Sequence, residues 1–218
     1  MGPEHILFLD GEALLIDKPA GLPVDQPRRG GDSVTTKVQS LSFGFRRPPQ
    51  PVHRLDTDTS GCLLLARNPK AHQRFAAAFA ERQARKTYLA VLDGVPAEAE
   101  GRIALPLGKR STAAEGWRMV VDPQGKPAVT AWRLLGAAEG RALVEFRPET
   151  GRTHQLRVHA ADGLGLPIVG DPLYGVAGGG LMLHAWRLEV PRPPKPPVRG
   201  EAPLPARFAP WHALLPQD

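Results

Sequence analysis

His53-Arg54-Leu55-Asp56-Thr57-Asp58-Thr59-Ser60-Gly61 runs directly into Cys62-Leu63-Leu64-Leu65-Ala66. The apolar run reads as a buried strand, and the polar segment ahead of it carries one Arg, two Asp and a Thr-Ser-Gly turn signal. A carboxylate placed where a loop enters a central strand is held rigidly while its oxygens stay reachable, which suits a nucleophile. The plainer alternative is that Asp56 caps a turn and pairs with Arg54, as Asp-rich turns commonly do. The rest of the chain bears on that choice.

The chain has 218 residues, enough for one large domain or two small ones sharing a core. Hydrophobic residues make up 42% and charged residues 23%, a globular balance that argues against disorder. Lys and Arg number 28 against 22 Asp and Glu, a net charge of +6. Such a balance points to a polyanion as one class of partner. The single cysteine, Cys62, excludes an intramolecular disulfide and a cysteine zinc site, and its apolar setting makes it core rather than reactive. The N-terminus has no basic start followed by an apolar stretch and a small-residue cleavage site, and no apolar run approaches the ~18 residues of a membrane helix. A soluble, cytoplasmic protein without a membrane partner is expected.

Ile6 to Leu9 and Ala13 to Asp17 read as strands joined by the hairpin signal Asp10-Gly11-Glu12. Two prolines and a glycine make Lys18-Pro19-Ala20-Gly21-Leu22-Pro23-Val24 a loop with a defined path. Asp32 or Ser33 caps a short helix with Val34, Val38 and Leu41 on one face. Asn68-Pro69 starts a helix with Phe75 and Phe79 on its apolar stripe, running to about Gln83 and closed by Arg82, Arg85 and Lys86. Lys86 to Leu92, Arg102 to Leu107, Trp117 to Val121, Ala128 to Leu135 and Ala142 to Phe146 are further strands. Strands in series without helices between them indicate an antiparallel section. Arg152 to Ala161 reads as a helix with His154, Arg157 and Ala161 on one face. Gly170-Asp171-Pro172-Leu173-Tyr174-Gly175 is a constrained loop, and Leu181 to Val190 a last strand. Seven prolines between Val190 and Ala206 predict an extended surface run, with Phe208 and Trp211 docking the C-terminus.

His53-Arg54-Leu55-Asp56 with Thr59-Ser60-Gly61 resembles the signature of the RluA family of pseudouridine synthases. Lys18-Pro19-Ala20-Gly21, Lys86-Thr87-Tyr88-Leu89-Ala90 and Gly151-Arg152-Thr153-His154-Gln155-Leu156-Arg157-Val158-His159 resemble further motifs of that family. Gly170 to Gly175 and Leu183-His184-Ala185 match later patterns in the same order. The resemblance implies an α+β protein of the pseudouridine synthase fold: a mixed, mainly antiparallel sheet in two halves, with flanking helices and a central cleft. It implies one catalytic domain over residues 1–218, with 191–218 a Pro-rich extended segment. The first motif begins within the first twenty residues, so the short form without an RNA-binding S4 domain is expected.

The family isomerises uridine in RNA to its C-glycoside without a cofactor. By resemblance, Asp56 is the catalytic aspartate, attacking ribose C1′ or uracil C6 or taking a ribose proton. Tyr88 is the tyrosine that packs on the target base and helps remove the C5 proton. Arg157 pairs with the catalytic carboxylate, and Arg54 fills the gap left by the flipped base. Lys18, Arg152, His154 and Gln155 join Arg54 as RNA- or base-binding residues by their places in the motifs. The chemistry asks for these types. A carboxylate serves as nucleophile or base without a metal, and a nearby guanidinium favours its charged form. An aromatic face holds a loosened base, and basic residues offset the cost of extruding it from the RNA.

Asp58 is taken as a turn residue. His154 and His159 are five apart, which does not stack two ligands on a helix, so no metal is expected. Gly178-Gly179-Gly180 lacks the Gly-Lys-Ser/Thr of a phosphate loop. The expected activity is isomerisation of particular uridines in structured RNA, ribosomal or transfer, by a monomer. The alternative is a basic RNA-binding or RNA-chaperone module that keeps the charge and lacks the chemistry; an intact Asp56, Tyr88 and Arg157 set argues against it.

Overall fold

The computed structural model describes residues 2–112 and 116–216. Ile6–Leu9 (β1) and Ala13–Lys18 (β2) form the expected hairpin. Asp10 closes it, its Oδ1 accepting from the amides of Glu12 and Ala13 at 2.8 Å each. Val34–Lys37 (α1) starts at Ser33. The Ser33 hydroxyl accepts from the Thr36 amide and the Thr36 hydroxyl accepts from the Ser33 amide, a reciprocal capping box. A 3₁₀ turn, Val38–Leu41, continues it, and Val34, Val38 and Leu41 are buried as expected.

Gln50–Pro51 (β3) is followed by Ser60–Ala66 (β4), which is buried at every position. Pro69–Ala80 (α2) is capped by Asn68, whose Oδ1 accepts from the Ala71 amide at 2.9 Å. The helix stops before Gln83 because Arg82 takes φ 60°. The Arg82 amide bonds the Phe79 carbonyl and the Gln83 amide the Ala78 carbonyl, a Schellman closure. Arg85 and Lys86 therefore open the next strand, Arg85–Leu92 (β5), instead of closing the helix.

Glu100–Ile103 (β6), Leu107–Thr112 (β7), Gly116–Val121 (β8), Thr130–Ala138 (β9) and Arg141–Pro148 (β10) follow. The strand expected over 102–107 is two strands, parted just before Leu107 by Pro106, which has no amide to donate to a ladder. Gln155–Val158 (α3) is a single turn that passes into a π-turn over His159–Gly163. Leu183–Arg192 (β11) and Lys195–Glu201 (β12) form a hairpin, and a 3₁₀ run, Ala206–Leu214, ends the described chain.

The chain divides into two compact units, Met1–Lys86 with His184–Pro205, and Thr87–Leu183 with Ala206–Asp218. In the first, the strand order is β1-β2-β4-β11, with β12 on β11 and β3 on β4. Pairing is antiparallel except between β4 and β11, which run parallel through Ser60–His184 and Gly61–Ala185. Gly61 sits there at φ 109°, where a Cβ would run into the Ala185 carbonyl, so only glycine fits. The helix α2 lays Ala71, Phe75 and Ala78 on Ala13, Leu15, Cys62, Leu64, Val190 and Val198. Burying a side chain such as Phe75 contributes ~1.5–3 kcal/mol, so packing rather than propensity holds this helix. In the second unit β5, β10, β9 and β6 pair antiparallel in that order, and β7 and β8 form a separate ribbon. Phe208 and Trp211 are buried there, as expected.

The proline-rich stretch after Val190 is not a surface run throughout. Residues 195–201 pair with β11, Val198 is fully buried, and the ladder shifts register between Val190 and Arg192, ahead of Pro196 and Pro197. Among the described residues no helix is long and apolar enough to cross a membrane.

Candidate active site

Asp56 lies on a turn closed by the Thr59 amide donating to the Asp56 carbonyl at 3.1 Å. The turn feeds β4, so its position is set by the most buried strand of the unit. The Asp56 carboxylate is half-buried, and among the described residues of its own unit it takes no hydrogen bond and no salt bridge. Arg54 is exposed and makes no ion pair among them either. His53 is different. Its Nε2 accepts from the Leu64 amide at 2.9 Å and its ring stacks on Phe79 with centroids 4.4 Å apart. Burial, helped by the charge of Lys86, pushes its pKa down to about 3. A histidine neutral in the fold and protonated in the unfolded chain favours unfolding in acid. Stability present above pH 6.5 should fall as pH drops toward 3. His53→Gln keeps an acceptor without titrating, so its urea midpoint should be flatter over that window. An equally steep fall in the variant would remove His53 as the cause.

Lys18 occupies a place that the sequence did not suggest. It is 0% exposed, and its ammonium donates to the carbonyls of Pro19 and Leu22 at 2.8 Å and of Thr57 at 3.0 Å. Its three donors are thus taken within the unit: it ties the 19–22 loop to the residue after Asp56. The Gly21 amide, donating to the same Thr57 carbonyl at 2.9 Å, makes the second tie. Burial lowers the Lys18 pKa to about 8, against the opposing pull of Asp58, Asp56 and Asp17. Lys18 is therefore a brace whose charge faces both carboxylates of the turn.

In the second unit Tyr88 is half-buried on β5, in register with Phe146 of β10. The motif from Arg152 is not the regular helix expected. His154 takes the left-handed conformation, φ 52°, so α3 begins only at Gln155, and His154 does not share a helical face with Arg157 and Ala161. Gln155 explains the late start. Its Oε1 accepts from the Thr150 hydroxyl at 2.7 Å and the Arg152 amide at 3.0 Å, and its Nε2 donates to the Val129 carbonyl and the Thr130 hydroxyl. Gln155 is 4% exposed with its amide fully engaged, so it clamps the start of the motif. Arg152 is half-buried, its Nε donating to the Pro127 carbonyl at 3.1 Å.

Arg157 is 3% exposed, and its fork meets a carboxylate that the sequence assigned no role. Nε donates to Asp171 Oδ2 at 2.7 Å and a terminal nitrogen to Oδ1 at 2.6 Å. Resemblance assigned Arg157 a pairing with the catalytic carboxylate; the bidentate pair made within its unit is with Asp171. Oδ1 also accepts from the amides of Leu173 and Tyr174. Burial raises the Asp171 pKa, but Arg157 and these amides outweigh it and hold the group below the ordinary carboxylate range. The guanidinium lies 5.1 Å from the Tyr174 ring centroid. The Tyr174 hydroxyl accepts from the Met119 amide at 3.0 Å and lies 2.8 Å from His154 Nδ1, and the exposed Trp117 stacks on His154 at 5.2 Å. His154 is 8% exposed and held on both sides by Tyr174 and Trp117. Asp171 and Tyr174 sit in the constrained Gly170–Gly175 loop; the run Gly170-Asp171-Pro172 was the available signal.

The remaining histidines of the metal question are also engaged. His159 lies 2.9 Å from the Thr130 hydroxyl and 3.1 Å from the Leu105 carbonyl, and His184 2.9 Å from the Ser60 hydroxyl. Among the described residues no group of three or more His, Cys, Asp or Glu side chains is placed to hold a metal ion. Cys62 is buried, its thiol pushed up to about 12 by burial, in keeping with a core role.

A family profile described as RNA pseudouridylate synthase matches residues 12–162. A Zymomonas mobilis protein named as an uncharacterized RNA pseudouridine synthase is 58% identical over 209 residues, covering 94% of this chain and 95% of its own length. The ribosomal large subunit pseudouridine synthase D of the same organism is 37% identical over 182 residues, covering 79% of this chain and 56% of that protein. Among solved structures, human RNA pseudouridylate synthase domain containing 1 matches with a TM-score of 0.79 at 30% identity, over 98% of this chain and 89% of that one.

Proposed function

The chain belongs to the RNA pseudouridylate synthase family, and from that premise we propose that it converts particular uridines of structured RNA to pseudouridine, with Asp56 as the catalytic carboxylate and no cofactor. The observation that carries the reading is Asp56 itself: a half-buried carboxylate, unbonded within its unit, on a turn whose next residue is braced by Lys18. A carboxylate that only capped its turn would be accepting backbone amides, as Asp10 does. In the reaction the C1′–N1 bond breaks, the base turns, a C1′–C5 bond forms and the C5 proton leaves. Atoms and electrons balance within the nucleotide, so no redox partner is needed. Arg157, its orientation fixed by Asp171, is a further residue on which turnover depends. Arg54 and Arg152 contact the RNA. Tyr88 stacks on the target base and its hydroxyl helps move the C5 proton.

The name of the Zymomonas relative makes large-subunit ribosomal RNA the first substrate to try, with transfer RNA second. The test is tritium release from RNA transcripts labelled at C5 of uridine. The protein should release tritium in the presence of a chelator. Tyr88→Phe should bind RNA normally and release tritium ~10²–10⁴-fold more slowly, as expected for lost acid–base help. RNA bound without any tritium release from either transcript would favour the non-catalytic RNA-binding module. A parental rate in Tyr88→Phe would leave that residue a stacking surface only.

A further inference from the structure

After α1 and its 3₁₀ turn the chain reads Phe43-Gly44-Phe45-Arg46-Arg47, and neither phenylalanine is consumed by the core. Phe43 is 44% exposed and Phe45 37%. Phe43 also takes φ 45°, a left-handed conformation that a bulky residue adopts only when something holds it. Arg67, the residue after β4, does the holding. Its guanidinium donates to the carbonyls of Asp10, Ser42 and Phe43. It also lies 4.2 Å from the Phe45 ring centroid and 5.9 Å from that of Phe43. Arg67 is only 8% exposed, so a buried charge is committed to a loop that presents two rings to solvent.

A further observation indicates what the loop meets. Arg46 and Arg47 are exposed and make no ion pair among the described residues. Aromatic rings beside unneutralised arginines, in a chain of net charge +6, suit unpaired nucleotides better than an apolar protein surface. The position is informative too. Arg67 follows the last residue of β4, whereas the Asp56 turn precedes its first. Seven residues at ~3.3 Å each put these ends ~20 Å apart, too far for the target nucleotide to touch both.

We propose that Phe43, Phe45, Arg46 and Arg47 form a second RNA contact, in which unpaired bases several nucleotides from the target uridine stack on the rings while the arginines meet phosphates. This rests on the RNA-modifying reading above and adds to it a determinant of which RNA is chosen. The test compares the Phe43→Ala/Phe45→Ala and Arg46→Gln/Arg47→Gln double variants with the parent on two substrates: the full-length RNA that the parent modifies, and a minimal stem-loop cut from it around the target. Each variant should raise KM on the long RNA by ~10-fold or more, as loss of stacking or of phosphate contacts implies, with kcat and both constants on the stem-loop unchanged. Parental constants on both RNAs would overturn the proposal. Equal damage on both, or a lowered melting temperature, would make the loop part of the fold. A shift from dimer to monomer on losing the phenylalanines would make it a surface for a second copy. If the parent modifies no RNA, the family reaction has failed, and filter binding of ribosomal RNA by parent and variants decides the contact separately.

Discussion

Asp56→Asn should fold as the parent does, bind RNA as tightly and lose turnover by roughly 10⁴-fold or more, the scale seen when a covalent catalyst loses its reacting group. Stability should move by less than ~0.5 kcal/mol, because no hydrogen bond within the unit depends on this carboxylate. Asp58 provides the control. It lies two residues on, is half-buried like Asp56, and acts on the same buried ammonium of Lys18. Either substitution removes one of the charges that oppose the desolvation of Lys18. If Asp56 served only to keep Lys18 charged, Asp58→Asn would therefore do comparable harm. If Asp56 is the reacting group, Asp58→Asn should keep most of the activity. Pseudouridine formation by both variants, measured beside their melting temperatures, separates the cases. Turnover by Asp56→Asn at a near-parental rate, or its loss in Asp58→Asn alone, would mean that the wrong carboxylate was chosen.

What the sequence made legible was local. The Ser33 cap, the Asn68-Pro69 helix start and the buried strand after Gly61 each follow from residues within a few positions of one another, and each is where it was expected. The misreadings have long-range causes. The helix expected from Arg152 starts only at Gln155, after the left-handed His154, with the Gln155 carboxamide bonded to Thr150, Val129 and Thr130. Apolar spacing at 3.6 residues cannot anticipate a side chain that competes with the backbone in this way. Lys18 stood among the RNA- or base-binding residues by its place in a motif; its burial depends on carbonyls of Leu22 and Thr57 that only the folded loops bring together. The prolines after Val190 suggested a surface run, yet two of them lie in β12 just beyond the register shift of its ladder with β11. The motif residues thus divide by burial: Asp56, Tyr88, Arg54 and Arg152 keep exposed surface, while Lys18, His154 and Gln155 are buried among hydrogen-bond partners.

Arg157 is buried like the frame residues, and its pairing with Asp171 gives the second large effect. The side chains are 4% and 0% exposed, and four hydrogen bonds converge on the carboxylate, two from Arg157 and two from backbone amides. Asp171→Ala would strand a guanidinium in the interior and orphan the amides of Leu173 and Tyr174, at a cost of ~3–5 kcal/mol. Much of that is the penalty for an unpaired charge and not the worth of the pair. Removing both charges in Asp171→Leu/Arg157→Met should therefore recover most of the lost stability, because apolar replacements fill the space without a charge to solvate. Activity should respond differently. If the pair were only structural, the double variant would regain turnover together with its melting temperature. If Arg157 also serves the reaction, the double variant should be stable, should bind RNA, and should remain as slow as Arg157→Met alone. Arg157→Lys should recover part of the stability and little of the rate, since a single ammonium cannot span both oxygens of Asp171 as the planar fork does. Urea unfolding and single-turnover tritium release on these four variants measure the two quantities independently. A double variant that is both stable and fast would confine Arg157 to the fold.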